Sequence, residues 1–366
     1  MTYSLIILLL TTIVNISFGI KTEYEFKYVN FTSESWKMHE AMDYDFRNII
    51  LFDVDKAPDG RIFVTAVRDK GVPASLMTIS NERGPGGPLL SPYPNWSWYN
   101  DTTDCDNNII SIKCNRLFIL DFGIKNGFEG ERVCPQKLLI FDLEYDMPVE
   151  NIRIPSHIAN NKNGIGLLAT VVADVQDCSR IDDATVSIFS DFTRYGLVTY
   201  NRHSGFCRIE SDFMKPTHPY FTIENESFYL EDGILDLLYA PLAGNRIFKM
   251  NKHTLKKCSK LSNSKANKLT KVAGILMVIA QDSEKLQFPS GMKAITVTRH
   301  KGWKDGRNQD IEKVLVLTNR FQHDLTFNET NFRILSLNKE EIEKANCFVS
   351  NHHGHKRGYY NTLEFN

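Results

Sequence analysis

The chain has 366 residues, a formal net charge of −1, 42% hydrophobic residues and 24% charged residues. This length fits two average domains or one large all-β unit, because sandwiches, barrels and propellers run long as single domains. The balanced charge argues against nucleic acid or an anionic membrane surface as a partner, since both require a concentrated basic field.

The N-terminal residues 1–19 carry no charged side chain and contain an apolar run at 5–10. Ser17 and Gly19 provide the small side chains that a signal-peptidase site requires, so cleavage is predicted after Gly19. The alternative is a retained membrane anchor, but the apolar run is short for a membrane span. We therefore expect a secreted, extracellular protein with no membrane partner.

The seven cysteines are scattered, and none forms a C-x-x-C pair. This spacing argues against a zinc ribbon or a thioredoxin-type motif and favours disulfides. An odd number leaves one thiol free or paired with another chain, which predicts an intermolecular disulfide as one alternative. Passage through the secretory route is also indicated by N-glycosylation sequons, which begin at Asn30, Asn95, Asn100, Asn225 and Asn328.

A unit made of two strands and a turn recurs along the chain at intervals of roughly 50 to 70 residues, which is typical of a radial β architecture. The units comprise residues 61–66 with 74–79, 117–121 with 137–143, 184–190 with 196–201, 233–240 with 245–250, and 314–318 with 331–337. A sixth unit is expected between Asn251 and Phe288. Because residues 256–271 are rich in lysine, serine and asparagine and only 272–280 suits a strand, this blade is predicted to be reduced.

Motifs for common chemistries are absent from the sequence: it contains no G-x-S-x-G or H-E-x-x-H, so neither serine-hydrolase nor zincin chemistry is indicated. The histidines of the polar tail 351–366, His352, His353 and His355, are not expected to hold a metal, and no cofactor is predicted. Residues 91–98 pack three aromatic side chains around two prolines. This segment either roofs a pocket or seals a gap between blades, and sealing is the preferred interpretation.

Several strings resemble the insect yellow and major royal jelly protein family. They are Gly71-Val-Pro-Ala-Ser-Leu76, Ser91-Pro-Tyr-Pro-Asn-Trp-Ser-Trp98, Cys114-Asn-Arg-Leu-Phe-Ile-Leu-Asp121, Cys134-Pro-Gln-Lys-Leu-Leu-Ile-Phe-Asp-Leu143, Phe288-Pro-Ser-Gly-Met-Lys293 and Asn319-Arg-Phe-Gln322. The resemblance implies a secreted six-bladed β-propeller at residues 20–350, between the signal peptide 1–19 and the tail. The chain departs from the family in blades four and five, which are predicted to be shortened.

For the cysteines, the resemblance implies a disulfide between Cys114 and Cys178. It also suggests a second bridge between Cys258 and Cys347. Cys207 stands where relatives often have an aromatic residue, so it is predicted to be the odd thiol.

The same resemblance points to a ligand site. Asn319 and Phe321 match the family's Asn-x-Phe pocket element, and Ser290 is expected to supply a hydroxyl group near them. A cationic aromatic amine needs acceptors for its N–H groups and an aromatic face for its ring or charge. The structural alternative for Asn319 is a cap on the turn that follows its strand.

Family roles include pigmentation, dopachrome conversion, nutrition and amine binding in saliva. We expect a non-catalytic extracellular protein, with a small aromatic amine bound in the central opening of the propeller. The alternative is an enzyme of the dopachrome-conversion type, which needs a positioned acid and base. His323, Asp324 and Asp121 are available by type, but their spacing singles out no catalytic residue.

Overall fold

The computed structural model describes residues 20–32, 44–67, 69–99, 108–124, 132–160, 168–190, 195–215, 230–232, 236–239, 246–256, 261–275, 282–299, 309–321, 323, 325–339 and 342. These residues form five four-stranded antiparallel sheets with three short helices between them. The prediction of an all-β, propeller-like architecture is therefore confirmed.

The first strand, β1 (Lys21–Phe26), belongs to the last sheet, and the next sixteen strands form four meanders in chain order. Sheet 1 contains β2 (Leu51–Lys56), β3 (Ile62–Ala66), β4 (Leu76–Gly84) and β5 (Gly87–Pro92). Sheet 2 contains β6 (Asn108–Lys113), β7 (Arg116–Asp121), β8 (Lys137–Asp142) and β9 (Met147–Arg153). Sheet 3 follows the helix α1 (Ser156–Ala159) and contains β10 (Leu168–Asp174), β11 (Thr185–Ser190), β12 (Gly196–Asn201) and β13 (Gly205–Ile209).

The last two sheets differ from this pattern. Sheet 4 contains β14 (Leu230–Asp232), β15 (Asp236–Tyr239), β16 (Arg246–Asn251) and, after the helices α2 (Lys252–Lys256) and α3 (Asn263–Leu269), β17 (Lys271–Ile275). Sheet 5 has the order β1, β20 (Phe332–Asn338), β19 (Gln309–Asn319), β18 (Phe288–Arg299). The N-terminal strand thus completes the C-terminal sheet, a closure that the sequence repeats did not predict.

The sheets follow one another around a centre. Strand β18 contacts β2, β2 contacts β6, β6 contacts β10, and β10 contacts β14, so these five strands are the innermost of their sheets. No comparable contact joins sheets 4 and 5 in the ranges that the structure describes. The pattern matches a propeller in which each sheet packs its face against the next.

Four apolar clusters fill the interfaces between consecutive sheets, which explains why the repeating strands are so apolar. In β7 and β8, five of six residues are buried. Representative pairs, from the interface of sheets 5 and 1 to that of sheets 3 and 4, are Leu317 with Val64, Phe141 with Phe63, Phe118 with Val186, and Phe248 with Leu197. Burial on both faces makes the sheets into layers of one core.

The described part of the chain forms five sheets, so the prediction of six blades is wrong for these residues. Between Asn251 and Phe288 the described residues form α2, α3 and β17, and β17 pairs with β16 as the outer strand of sheet 4. The polar stretch is helical because Ser262 caps α3 by accepting a hydrogen bond from the Lys265 N–H at 3.4 Å. The described parts of strands β14 and β15 have three and four residues, and the shortened fourth blade stays a prediction.

The aromatic loop 91–98 seals the gap between sheets 1 and 2, as the preferred interpretation held. The rings of Tyr93 and Trp98 lie 5.6 and 5.3 Å from that of Phe141 on β8. Tyr99, just after the loop, donates from its hydroxyl group to the carbonyl oxygen of Tyr93 at 2.9 Å. These contacts join the end of sheet 1 to the core of sheet 2.

The disulfide between Cys114 and Cys178 is confirmed. Cys114 and Asn115 form the two-residue turn between β6 and β7, and both have positive φ angles of 50° and 56°, as in the tight turns of β-hairpins. Cys178 begins the 3-10 turn before β11. The bond therefore ties sheet 2 to sheet 3.

The assignment of Cys207 as the odd thiol is wrong, because Cys207 and Cys134 are both disulfide-bonded. Their partners lie outside the described residues, where the remaining cysteines are Cys105, Cys258 and Cys347. The predicted bridge between Cys258 and Cys347 falls on residues outside the described ones and stays a prediction. An intermolecular disulfide through an odd cysteine also stays a prediction.

Candidate functional site

The three residues predicted to bind a ligand lie together at one end of sheet 5. Ser290 is on β18, Asn319 ends β19, and Phe321 follows it. Phe288 and Asn319 are directly opposite in the pairing of β18 with β19. The Asn319 side chain donates from Nδ2 to Ser290 Oγ at 3.1 Å across 29 residues of sequence. Antiparallel pairing of two strands thus builds the cluster.

Asn319 is 2% exposed, and its amide is used inside the protein. Besides the bond to Ser290, Nδ2 donates to the Leu51 carbonyl oxygen on β2 at 3.1 Å. Its Oδ1 accepts the Phe321 backbone N–H at 2.9 Å. The structural alternative, a turn cap, is therefore correct, and Asn319 also links sheet 5 to sheet 1. Its contact with a ligand stays a prediction.

Phe321 offers an aromatic surface to solvent. Its side chain is 55% exposed, and its ring centroid lies 5.5 Å from that of Phe288. Beside it, Arg320 forms an ion pair with Glu329, and the hydrogen bond from Arg320 lowers the pKa of that carboxyl group. This ion pair is neutral as a whole, so it adds no net charge beside the exposed ring.

A buried polar seam continues from this cluster along β2 and β18. Gly291 lies so close to β2 that a Cβ atom there would be 2.8 Å from the Asp53 Cα, so only glycine permits this approach. Lys293 Nζ lies 3.1 Å from Asp53 Oδ2. Both side chains are largely buried, with 17% and 5% of their surface exposed. A buried ion pair therefore connects sheets 5 and 1.

Asp55 is the second acidic side chain in this seam. Its complete burial raises its pKa to about 7, although Lys293 and the backbone N–H groups of Ile112 and Lys56 pull the pKa down. Desolvation disfavours the charged carboxylate and exceeds these favourable interactions. The inner strand thus holds a carboxyl group that titrates near neutral pH.

Polar side chains of the inner strands bond to the main chain of the next sheet. Asp53 Oδ2 accepts from the Ile110 N–H at 3.0 Å, and Asp55 Oδ2 accepts from the Ile112 N–H at 2.6 Å. Between sheets 2 and 3, Ser111 Oγ accepts from the Ala173 N–H at 3.2 Å. Sequence reasoning missed this ladder. The available signal was two aspartates at alternate positions of β2, a strand with mostly buried residues.

The residues considered for catalysis are not brought together in the described structure. Asp121 is fully buried on β7, accepts the Gly123 N–H at 2.8 Å and lies 3.3 Å from Lys137 Nζ. His323 is exposed after β19, in sheet 5, and Asp324 lies outside the described residues. No acid–base pair is formed by Asp121 and His323.

Several predicted features lie outside the described residues: 1–19, Asn100, Asn225, the histidines of the tail, and the tail 351–366 itself. Among the sequons that are described, Asn95 and Asn328 are exposed and Asn30 is half-buried. Within the same described ranges, no helix combines the length and apolar character needed to cross a membrane.

The fold and its seam define an all-β, propeller-like protein whose inner strands carry buried acidic side chains. Residues 110–277 match the family described as Major royal jelly protein. The chain is 32% identical to Major royal jelly protein 7 of Apis mellifera, covering 88% of this chain and 85% of the relative. It is 30% identical to Major royal jelly protein 1 of the same species, covering 90% and 89%. The chain belongs to the major royal jelly protein family, which confirms the resemblance found in its sequence.

The comparison also bears on the length of the chain relative to the family. Major royal jelly protein 8 of Apis mellifera, 29% identical with 92% of this chain and 94% of the relative covered, aligns over 400 residues. That length exceeds the 366 residues of this chain, so the chain lacks segments that this relative has. A solved protein from Desulfotomaculum acetoxidans covers 86% of this chain and 79% of its own with 10% identity and a TM-score of 0.37, too low to indicate a shared fold.

Proposed function

We propose that this protein is a secreted, non-catalytic member of the major royal jelly protein family that binds a small aromatic amine beside Phe321. The observation that carries the proposal is the clustering of Ser290, Asn319 and Phe321 around an exposed aromatic ring. Ser290 and Asn319 are 29 positions apart in the sequence, and their side chains lie within hydrogen-bond distance of each other.

The exposed ring and the hydroxyl group of this cluster suit an aromatic amine. The exposed Phe321 ring provides a face for stacking of an aromatic ligand and for attraction of its ammonium group. Ser290 Oγ accepts one hydrogen bond from Asn319 and, as a hydroxyl oxygen, has a second acceptor position for an amine N–H. Asn319 acts as a positioning residue, because its amide holds both neighbours in place.

Secretion is supported by the disulfides and by the N-terminus. The bond between Cys114 and Cys178, with further bonds at Cys134 and Cys207, fits an oxidising compartment. The predicted signal peptide ends immediately before Ile20, and β1 begins at Lys21. Removal of residues 1–19 therefore leaves the closing strand of sheet 5 complete.

Titration calorimetry with serotonin and dopamine tests the binding proposal. The wild-type protein is expected to release or absorb heat, and Phe321→Ala is expected to weaken binding about tenfold, the effect of losing one stacking contact. Phe327→Ala is the matched control, because Phe327 is 54% exposed against 55% for Phe321 but lies outside the cluster. Phe327→Ala should bind as tightly as the wild type.

A flat titration with folded wild-type protein would contradict amine binding, as would equal losses in the two phenylalanine variants. The alternative of dopachrome conversion is tested by following dopachrome absorbance with and without protein. We expect the spontaneous rate, because no acid–base pair is formed by the described candidates. A faster rate would instead favour the enzyme.

A further inference from the structure

A second concave site lies away from the Phe321 cluster, between sheet 2 and α1. Its volume is about 260 Å³, enough for a small organic molecule, and its lining includes Arg132, Gln136, Arg153, Ser156 and Asn160. Among the described residues of the lining, the two charged groups, Arg132 and Arg153, are both cationic, and the others are apolar or uncharged. The described lining is therefore cationic.

Arg153 supplies a positive charge that no described residue neutralises. It ends β9 directly opposite Lys137 on β8, so two cations share one face of the sheet, which is unfavourable unless one is compensated. Lys137 is compensated, since its Nζ lies 3.3 Å from Asp121 Oδ2. The Arg153 guanidinium group forms no ion pair or hydrogen bond with any described side chain and is exposed.

Hydrogen bonds to main-chain carbonyl oxygens hold the wall that carries Arg132. The N–H groups of Val133 and Cys134 both donate to the Gly123 carbonyl oxygen, at 3.0 and 3.2 Å. Gly123 has a φ of +65°, and a Cβ there would be 2.2 Å from the Cys134 carbonyl oxygen, so this contact requires glycine. Arg132 donates from Nη1 to the Phe122 carbonyl oxygen at 2.7 Å.

The opposite wall is held by α1 and the end of β9. The Ile154 N–H donates to the Gln136 carbonyl oxygen at 2.9 Å, which fixes the two walls relative to each other. Asn160 Nδ2 donates to Ser156 Oγ at 3.1 Å. Because hydrogen bonds hold both walls in place, ligand binding costs little conformational entropy of the protein.

We propose that this cavity binds a small organic oxyanion, a molecule with a carboxylate or phosphate group and several hydroxyl groups. Arg153 pairs with the oxyanion, since a guanidinium group matches the geometry of both carboxylate and phosphate. Ser156, Gln136 and Asn160 provide hydroxyl and amide groups for the polar body of the ligand. This site is independent of the amine site, and the two proposals stand or fall separately.

Titration calorimetry of the full, disulfide-bonded protein with citrate and with glucose 6-phosphate tests the proposal and separates carboxylate from phosphate ligands. Glucose serves as the neutral comparison, and sodium chloride at matched ionic strength corrects for screening. We expect binding of at least one of the two anions, with a dissociation constant on the order of 1 mM, and none of glucose.

Two substitutions test whether the anion binds in this cavity. Arg153→Gln removes the uncompensated charge, and Asn160→Asp adds a carboxylate of nearly the same shape that still reaches Ser156. Each is expected to weaken binding about tenfold, as for the loss of one charged hydrogen bond. Arg83→Gln is the matched control, because Arg83 is an exposed arginine on β4 of sheet 1, and it should leave binding unchanged.

The proposal is overturned if neither anion binds to the wild type, or if Arg153→Gln binds as tightly as Arg83→Gln. Because Arg153 is exposed, its substitution leaves the core intact, and equal melting temperatures of these two variants check that both are folded. A loss of anion binding with amine binding retained would support the independence of the two sites.

Discussion

The carboxylate of Asp53 on β2 accepts a hydrogen bond from the backbone N–H of Ile110 on β6 at 3.0 Å. A side chain of sheet 1 thus bonds to the main chain of sheet 2. Strands of different blades do not pair with each other, so their inner polar groups need other partners when buried. The aspartates of β2 supply these partners and at the same time join neighbouring sheets.

Replacing Asp53 tests this role. The side chain also accepts the Val54 N–H at 2.9 Å and pairs with Lys293 at 3.1 Å. Asp53→Ala removes the acceptor of two N–H groups, those of Val54 and Ile110, and the ion-pair partner of the largely buried Lys293. The free energy of unfolding should therefore fall by about 3–5 kcal/mol. Urea denaturation measures it, and Glu82→Ala, at an exposed position, is the control.

A loss in Asp53→Ala no greater than that in Glu82→Ala would contradict the structural role of the ladder. The double variant Asp53→Asn with Lys293→Met separates the causes. It removes both charges, so it should be more stable than Asp53→Ala, because the penalty for a lone buried charge is absent.

The pKa of Asp55 predicts a specific pH dependence of stability. Burial raises this pKa from its ordinary value of 3.8 to about 7, so between these values the folded protein holds a proton that the unfolded chain has released. The contribution of Asp55 is therefore fully present below about pH 4 and is lost as the pH rises through 7. The loss is on the order of 4 kcal/mol over the whole window.

The measurement compares wild type with Asp55→Asn, whose side chain does not titrate, by urea denaturation at several pH values from 4 to 8. As the pH rises, the unfolding free energy of the wild type should fall relative to that of Asp55→Asn. Other carboxyl groups, such as Glu23 and Asp45 with lowered pKa values, cancel in this difference. A difference that stays constant would show that Asp55 is ionised in the folded protein throughout this range.

The bond between Cys114 and Cys178 closes a loop with a sequence separation of 64. A loop of this length restricts the unfolded chain by about 4 kcal/mol. The double variant Cys114→Ala with Cys178→Ala, which leaves no new free thiol, should lose stability of that order in urea denaturation under non-reducing conditions. Unchanged stability would mean that the bond does not constrain the unfolded chain.

Glycosylation is expected at the exposed sequons Asn95 and Asn328 when the protein passes through a eukaryotic secretory pathway. Both asparagines are exposed, so an attached glycan extends into solvent without displacing core residues. Mass spectrometry of peptides before and after enzymatic deglycosylation measures occupancy, with Asn95→Gln and Asn328→Gln as controls. Secreted protein that carries no glycan at either position would contradict this expectation.

The local sequence predicted the strands and their grouping with good accuracy. All five predicted units correspond to the five sheets, because runs of β-branched and aromatic residues between turn residues can be recognised locally. The prediction of a sixth blade was wrong for the described residues, because the number of blades is not a local property of the sequence. A count of blades depends on which sheet a strand joins, and β17 joins sheet 4.

For the candidate site, the resemblance identified Ser290, Asn319 and Phe321, but their roles depend on distant parts of the chain. Asn319 bonds to Leu51, 268 residues away, so its use as an internal link was not visible in a local motif. The same holds for Cys207, whose disulfide depends on which cysteine the fold brings near it.

The sequence by itself determined that the protein is an all-β chain of repeated strands with an apolar core, because periodic side-chain patterns and turn residues act locally. Only the tertiary structure decided how the ring is arranged. The pairing of β1 with β20 and the ion pair of Asp53 with Lys293 across 240 residues require segments that are distant in the sequence and meet only in the folded ring. Such contacts follow from the geometry of the whole ring, which no single stretch of sequence contains.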